Sequence, residues 1–270
     1  MALAIERQRI PRMVAIRKEL VSWERLAQVL IVVGFLTTWE VAGRRLGDFF
    51  LAPPSSLLSA FEEMIESGEY VAAVMDSMSS LLLGFGLAAA IGISVGFAMG
   101  WYRPVGKVLN PFVSALYVVP IAALVPVLII WFGLGFTPRI MSVLLFSVFE
   151  ILVSTYTGVK NVDPMLVDVA SSFGAKRIEL FRKVVFFASL PYIFAGLRMG
   201  AARAIKGMIV AELLFAVTGI GGAIQTAANY YRTDKVFVYV ITLAILGIAL
   251  SAAIQMGERL TTPWRQQRST

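Results

Sequence analysis

Six long apolar stretches alternate with short polar segments along this chain. They cover residues 26–41, 77–100, 110–132, 140–159, 192–214 and 236–256. A helix needs about 20 mostly apolar residues to cross a bilayer, so each reads as a transmembrane helix and the connections as loops on alternate sides. The charges in the connections predict which side. The segment 43–76 holds Asp48, Glu62, Glu63, Glu66, Glu69 and Asp76 against Arg44 and Arg45, the character of an outside segment. Residues 1–25 carry Arg7, Arg9, Arg12, Arg17, Lys18 and Arg25, and the tail 261–270 carries Arg265 and Arg268. Both ends are therefore expected in the cytoplasm, flanking a membrane domain at 26–260. No small-residue cleavage site closes the first apolar run, which argues against a signal peptide.

Within the outside segment, Pro53 and Pro54 precede Ser55 and Ser56, expected caps of a short helix with Leu57, Leu58, Phe61 and Ile65 on one side. The second span has Gly84, Gly92, Gly96 and Gly100 on one flank, where another helix can approach closely. Arg103 and Lys107 mark a cytoplasmic turn. The third span carries Pro111, Pro120 and Pro126, which either pack against a cavity or kink the helix. The stretch 133–138 is an outside turn, and the fourth span contains one acid, Glu150, which should face protein or water. Residues 218–235, with Gly219, Gly221 and Gly222, return outside.

The polar stretch 161–187 between the fourth and fifth spans is organised differently. Asp163 followed by Pro164 is a helix start, since the carboxylate can accept orphan amide hydrogens and proline has none to waste at the first position. Leu166, Val169, Ala170 and Phe173 then fall on one apolar face, and Gly174 suits the left-handed residue that closes a helix. A second polar helix is expected from Ala175 to Lys183, with Lys176, Arg177, Arg182 and Lys183 on its basic side. The fifth span holds Arg198, Arg203, Lys206 and Glu212. At 100° per residue Arg203 and Lys206 lie about 60° apart, a basic face too deep for easy snorkelling, which should line an aqueous path or meet carboxylates. Glu212 points elsewhere.

Composition narrows the chemistry. Apolar residues make up 58% of the chain and charged residues 15%, with neither cysteine nor histidine, and the mean hydropathy is +0.79. Disulfides, thiolate nucleophiles, imidazole bases and the usual zinc or haem ligands are excluded. The net charge of +7 reflects cytoplasmic loops and not nucleic acid. Residues 100–107 superficially look like a phosphate-binding loop, but the spacing between Gly100 and Gly106 is wrong and Val108 stands where Ser or Thr would hold magnesium.

Asp168, Val169, Ala170, Gly174 and Val184 together resemble the EAA loop of the permease subunits of ATP-binding-cassette importers. Asp168 stands where that family usually has glutamate, Val169 replaces an alanine, and Phe187 occupies a position where proline is common. The segments LAPPSSLLSAFEEMIESGEY, WFGLG, GVKNVDP, LPYIFAGLRMGAAR, VAELL and YYRTD extend the resemblance over all but about the first two dozen residues, closest to the nitrate, taurine and aliphatic-sulfonate branch. The resemblance implies an all-α integral membrane fold of six transmembrane helices, as in type I importers, in a bacterial inner membrane. It also implies partners: a second copy of this chain, two ATPase subunits that hold the ATP and magnesium, and an external solute-binding protein. The helix with Asp163, Leu166, Asp168, Val169, Ala170, Phe173, Gly174 and Ala175 would then be the coupling element that docks on the ATPase. Arg203, Lys206 and Glu212 are the expected translocation residues. Their charge favours a small anion, although related permeases carry aromatic carboxylates and heterocyclic vitamin precursors. A secondary transporter is the rival from another class; it would show internal repeats and broken helices at midplane, and no convincing repeat is visible in the sequence.

Overall fold

A computed structural model describes residues 2–47, 49–215 and 218–262, with side chains from Trp23 onward except at Phe215. The basic residues expected in the cytoplasm before Trp23, and Arg265 and Arg268, lie outside those described side chains. Every regular element among the described residues is helical: α1 (Ala2–Leu46), α2 (Pro54–Glu66), α3 (Glu69–Trp101), α4 (Arg103–Val118), α5 (Val125–Phe132), α6 (Phe136–Lys160), α7 (Pro164–Ser172), α8 (Arg177–Glu179), α9 (Phe186–Phe215), α10 (Gly219–Asn229) and α11 (Thr233–Thr261).

The centre of the bundle is α6, held between α3 and α9. Its 25 residues rise about 38 Å at 1.5 Å each, more than the hydrocarbon layer of about 30 Å. The expected glycine flank of α3 is where α6 packs. A Cβ built on Gly96 would stand 2.7 Å from both the Leu152 carbonyl oxygen and the Thr155 Cβ, so no larger residue fits without moving a helix. On the other side of α6 the Ser142 hydroxyl donates to the Gly207 carbonyl of α9 at 3.0 Å. Outside this layer, α11 packs on α9, α2 and α10, around Met64, Ile220 and Tyr239. Peripheral α1 touches the bundle through Trp39, whose indole donates to the Ala52 carbonyl at 3.1 Å and packs against Phe237.

Among the described residues, five helices are long and apolar enough to cross a membrane: Trp23–Leu46, Glu69–Trp101, Phe136–Lys160, Arg177–Leu214 and Thr233–Thr261. In the place of the third expected span lies a bent pair, α4 and the segment Ile121–Phe132, which together are long and apolar enough to cross but turn by 85° at the break. This corrects the expectation of one helix over 110–132. The span starts at Arg103, tolerates Pro111 within α4, and breaks at Val119 and Pro120, both extended. Pro120 has no amide to continue the helix and pushes Val119 out of the helical region. A 3₁₀ turn at Ile121–Leu124 follows, and Pro126 sits in the first turn of α5.

Three further expectations change. Ser55 does not cap α2, which starts at Pro54; its hydroxyl donates to the Glu40 carboxylate at 2.8 Å. The buried face of α2 is Ala60 and Met64, leaving Leu58, Phe61 and Ile65 exposed. The segment 218–235 contains a helix, α10, that the glycines conceal. Gly219 opens it with φ of +76°, and Gly219 and Gly221 lie directly against Glu212.

Candidate functional site

The loop between α6 and α9 forms as its residues predict at the start. Asp163 caps α7, its carboxylate accepting from the Met165 amide at 2.9 Å, with Pro164 in the first turn. Gly174 has φ of +79°, and the Gly174 and Ala175 amides donate to the Ser171 and Ala170 carbonyls at 2.9 and 3.1 Å, closing the helix end. The second polar helix is not separate. The Glu179 carboxylate accepts from the Lys176 amide at 3.0 Å, α8 turns once, and a π-helical stretch Leu180–Val185 carries the chain straight into α9. The basic residues Arg177, Arg182 and Lys183 therefore form the foot of the fifth span. Its apolar side explains the continuity, because Phe181 packs edge-on against Phe97 and Trp101 of α3.

Asp168 and the apolar face of α7 bury nothing within the chain. Leu166 and Val169 are about half exposed and Phe173 is 88% exposed. Leu166, Val169, Ala170, Phe173, Gly174 and Ala175 line a groove of about 470 Å³ that Lys183 closes on the side of α9.

The ionisable groups of α9 separate into three situations. The Arg203 guanidinium meets the Glu150 carboxylate at 2.9 Å, with Glu150 nearly buried and Arg203 half exposed. The Tyr117 hydroxyl of α4 donates to the same carboxylate at 3.1 Å, a partner that no sequence pattern announced. Arg198 pairs with Glu258 of α11 at 2.7 Å. Lys206 is exposed and has no ion pair among the described residues.

Glu212, expected among the translocation residues but pointing away from Arg203 and Lys206, is fully buried in a network of its own. Its carboxylate accepts from the Ser77 hydroxyl at 2.8 Å and the Gly221 amide at 2.9 Å, and Arg139 lies 3.8 Å away. Arg139 is itself bound through two nitrogens to Asp76 at 2.6 and 3.1 Å. The Ser77 oxygen also accepts from the Ile220 amide at 2.7 Å, so α3, α6, α9 and the start of α10 meet at one polar knot. The cue to it was the buried acid near two glycines. What remained hidden was that residues 135 positions apart would meet.

A second charged cluster ties α2 to α11. Arg232 contacts Glu63 at 2.7 Å and Asp234 at 3.0 Å, while Lys235 contacts Glu63 at 3.2 Å and Glu69 at 3.0 Å. The Arg232 and Lys235 hydrogen bonds hold the Glu63 carboxyl down at about 2.

A bundle with five membrane-length apolar helices and one bent pair among the described residues, ion pairs inside it and an exposed polar loop between two of the helices, has the architecture of an integral-membrane permease. The chain belongs to the family of binding-protein-dependent transport system inner membrane components, which matches residues 83–262. It is a multi-pass inner-membrane protein and the permease subunit of an ABC transporter, a transport component and not a catalyst. A probable ABC transporter permease of Brucella abortus (strain 2308) is 34% identical over 221 residues, 82% of this chain and 88% of that protein. The taurine transport system permease protein TauC of Escherichia coli (strain K12) is 30% identical, covering 90% and 92%. The formylaminopyrimidine transport permease protein ThiX of Halalkalibacterium halodurans is 27% identical, covering 92% and 99%. The fold is similar to that of a chain of the MetNI methionine ABC transporter, solved in inward-facing conformations, with a TM-score of 0.61 at 16% identity over 70% of this chain and 94% of that one.

Proposed function

We propose that this chain is the permease subunit of an ATP-driven importer for a small anion, such as nitrate, taurine or another sulfonate. It works as a two-fold pair with its termini and the segment 161–187 in the cytoplasm. The observation that carries the anion reading is Lys206, an exposed cation within a helix of membrane-crossing length, with no carboxylate on it among the described residues. A cation in mid-bilayer costs about 2.5 to 3.5 kcal/mol on insertion scales, so it persists where water or an anion reaches it. Arg203 contributes less than its charge suggests, because Glu150 neutralises it. Lys206 therefore supplies the one uncompensated positive charge of this face in each copy, and a symmetric pair presents it twice.

The exposed groove at Leu166, Val169, Ala170, Phe173, Gly174 and Ala175, with Asp163 capping its helix and Asp168 midway along it, supports the assignment of α7 as the ATPase-docking element. An isolated apolar helix face of this kind costs solvation free energy until a partner covers it. ATP-driven closure of two ATPase subunits would move the two α7 helices together, and the rigid passage from α8 into α9 would carry that movement to Lys206. An external solute-binding protein delivers the anion.

The second reading is a heterocyclic vitamin precursor as solute, favoured by the likeness to ThiX and by the neutralisation of Arg203. Reconstitution with the cognate ATPase and binding protein separates the two. Lys206→Gln should lower anion uptake about tenfold, equivalent to about 1.4 kcal/mol in the barrier, with assembly and ATP hydrolysis retained. Undiminished anion uptake, or saturable uptake of a neutral heterocycle by both forms, would overturn the anion reading. Cysteine probes at Glu66 and Lys176 should label from opposite sides, outside and cytoplasmic respectively, and the reverse would overturn the orientation.

A further inference from the structure

A cavity of about 540 Å³ lies where α3 ends, α4 begins and α6 ends. Arg103 and Lys107 of α4 and Lys160 of α6 converge on it, with Asn110 and Tyr156 beside them and no carboxylate in its lining. None of the three cations has an ion pair among the described residues. The Lys160 ammonium, though exposed, sits 5.1 Å over the Tyr156 ring, which holds it beside the cavity. Gly106 lets α4 press against the Met99 carbonyl and Tyr156, forming the floor. Lys160 directly precedes the 161–187 segment, so the cavity opens on the same side of the membrane as α7.

The first turn of α4 adds to the field. It contains no acid, its capping residue Tyr102 gives no side-chain hydrogen bond, and the positive end of a 16-residue helix faces the cavity. Arg103, Lys107, Asn110, Ser114 and Tyr117 fall within about 80° of one another around α4 at 100° per residue. They make a polar stripe from this cavity to the Tyr117, Glu150 and Arg203 contact.

We propose that Arg103, Lys107 and Lys160 form a binding site for an oxyanion group, a sulfonate, sulfate or phosphate, at this end of the bundle. Three like charges around one cavity repel one another unless a counter-charge occupies it, and two flexible ammonium groups with one forked guanidinium fit a tetrahedral oxyanion. The proposal does not depend on the transported solute being an anion. A free anion and an anionic lipid headgroup present the same chemistry here.

The test reads amine modification of individual lysines by mass spectrometry on the full chain in nanodiscs. In phosphatidylcholine discs, sodium sulfate is compared with sodium chloride at equal ionic strength; in a parallel set, phosphatidylglycerol discs replace phosphatidylcholine. Lys183, which is 74% exposed and lies at the foot of α9, is the internal reference. Lys107 and Lys160 should react at least threefold more slowly than Lys183 in one of these sets. Protection by sulfate in phosphatidylcholine identifies a free anion, and protection confined to phosphatidylglycerol identifies a headgroup. Arg103→Gln should remove the protection of both lysines while Lys183 reacts as before. Should that variant not assemble, Lys160→Gln should remove the protection of Lys107. Equal rates for all three lysines in every disc, or protection that survives both substitutions, would overturn the site and leave the cations as membrane-surface anchors.

Discussion

The two carboxylates that face inward in the central layer, Glu212 and Glu150, sit in opposite arrangements. Around Glu212 every partner comes from within the chain: a hydroxyl, a backbone amide and, at longer range, a guanidinium already bound to Asp76. Around Glu150 the partners are a tyrosine from the broken span and an arginine that is half exposed, one turn from an exposed lysine. The first region is closed and complete in one copy. The second is open, and it shares that openness with the apolar face of α7 and with the Arg103 cavity. Completeness marks where the chain holds itself together, and openness marks where a partner, water or solute must finish the structure.

The sharpest break of this comparison is Glu212→Ala. It strands the Ser77 hydroxyl, the Gly221 amide and part of the Arg139 charge in a dry site, and losing one partner of such a buried charged contact costs about 3 to 5 kcal/mol. Denaturation in mixed micelles should show that loss, with α10 released first in hydrogen exchange. A change below about 1 kcal/mol would mean the knot is incidental.

Gly96→Leu should come next. The new side chain has no room against Leu152 and Thr155, and overpacking of this kind costs about 1 to 3 kcal/mol. Gly174→Val is the contrasting substitution in the open region. Nothing lies within 4 Å of its Cβ position, so only the positive φ of +79° is penalised, by about 1 to 2 kcal/mol confined to the loop. The global unfolding midpoint should stay unchanged while ATP hydrolysis uncouples from uptake. Wild-type coupling in this variant would remove α7 from the coupling role.

The smallest effect is expected at Glu63. Its carboxyl is held at about 2, below the ordinary value of 4.5, so its contribution is fully present above pH 4.5 and lost as pH falls through 2. The attachment of α2 to α11 should therefore be flat between pH 8 and pH 5 as far as Glu63 governs it. In more acid it should loosen, measured as hydrogen exchange in α2, and Glu63→Gln should flatten that acid limb.

Several features were legible from short-range pattern alone. The capped start of α7 and the positive φ of Gly174 depend on residues adjacent in the chain, and the glycine flank of α3 depends on helical periodicity. The tie between Glu150 and Arg203 was half legible, because a buried acid and deep cations must find charge or water. Other features needed long-range geometry. The break at Pro120 could equally have been a kink, since a proline removes one hydrogen bond wherever it sits and only the neighbours decide how far the helix turns. The passage of α8 into α9 was hidden because five charges argue for a separate polar helix outside the membrane, while Phe181 packing edge-on against α3 holds the helix continuous with the span.

By itself, the order of apolar and polar residues determined a six-span helical membrane protein, the polar loop before the fifth span, and the packing flank of the second. Those properties follow from solvation and periodicity, which act over a few residues at a time. The tertiary structure decided which charges are satisfied. Glu212 is closed into a knot with Ser77 and Gly221, Arg203 is neutralised by Glu150, and Lys206 is left open. Whether a buried charge is paired depends on what other helices bring within about 4 Å, and that distance is set only when they pack.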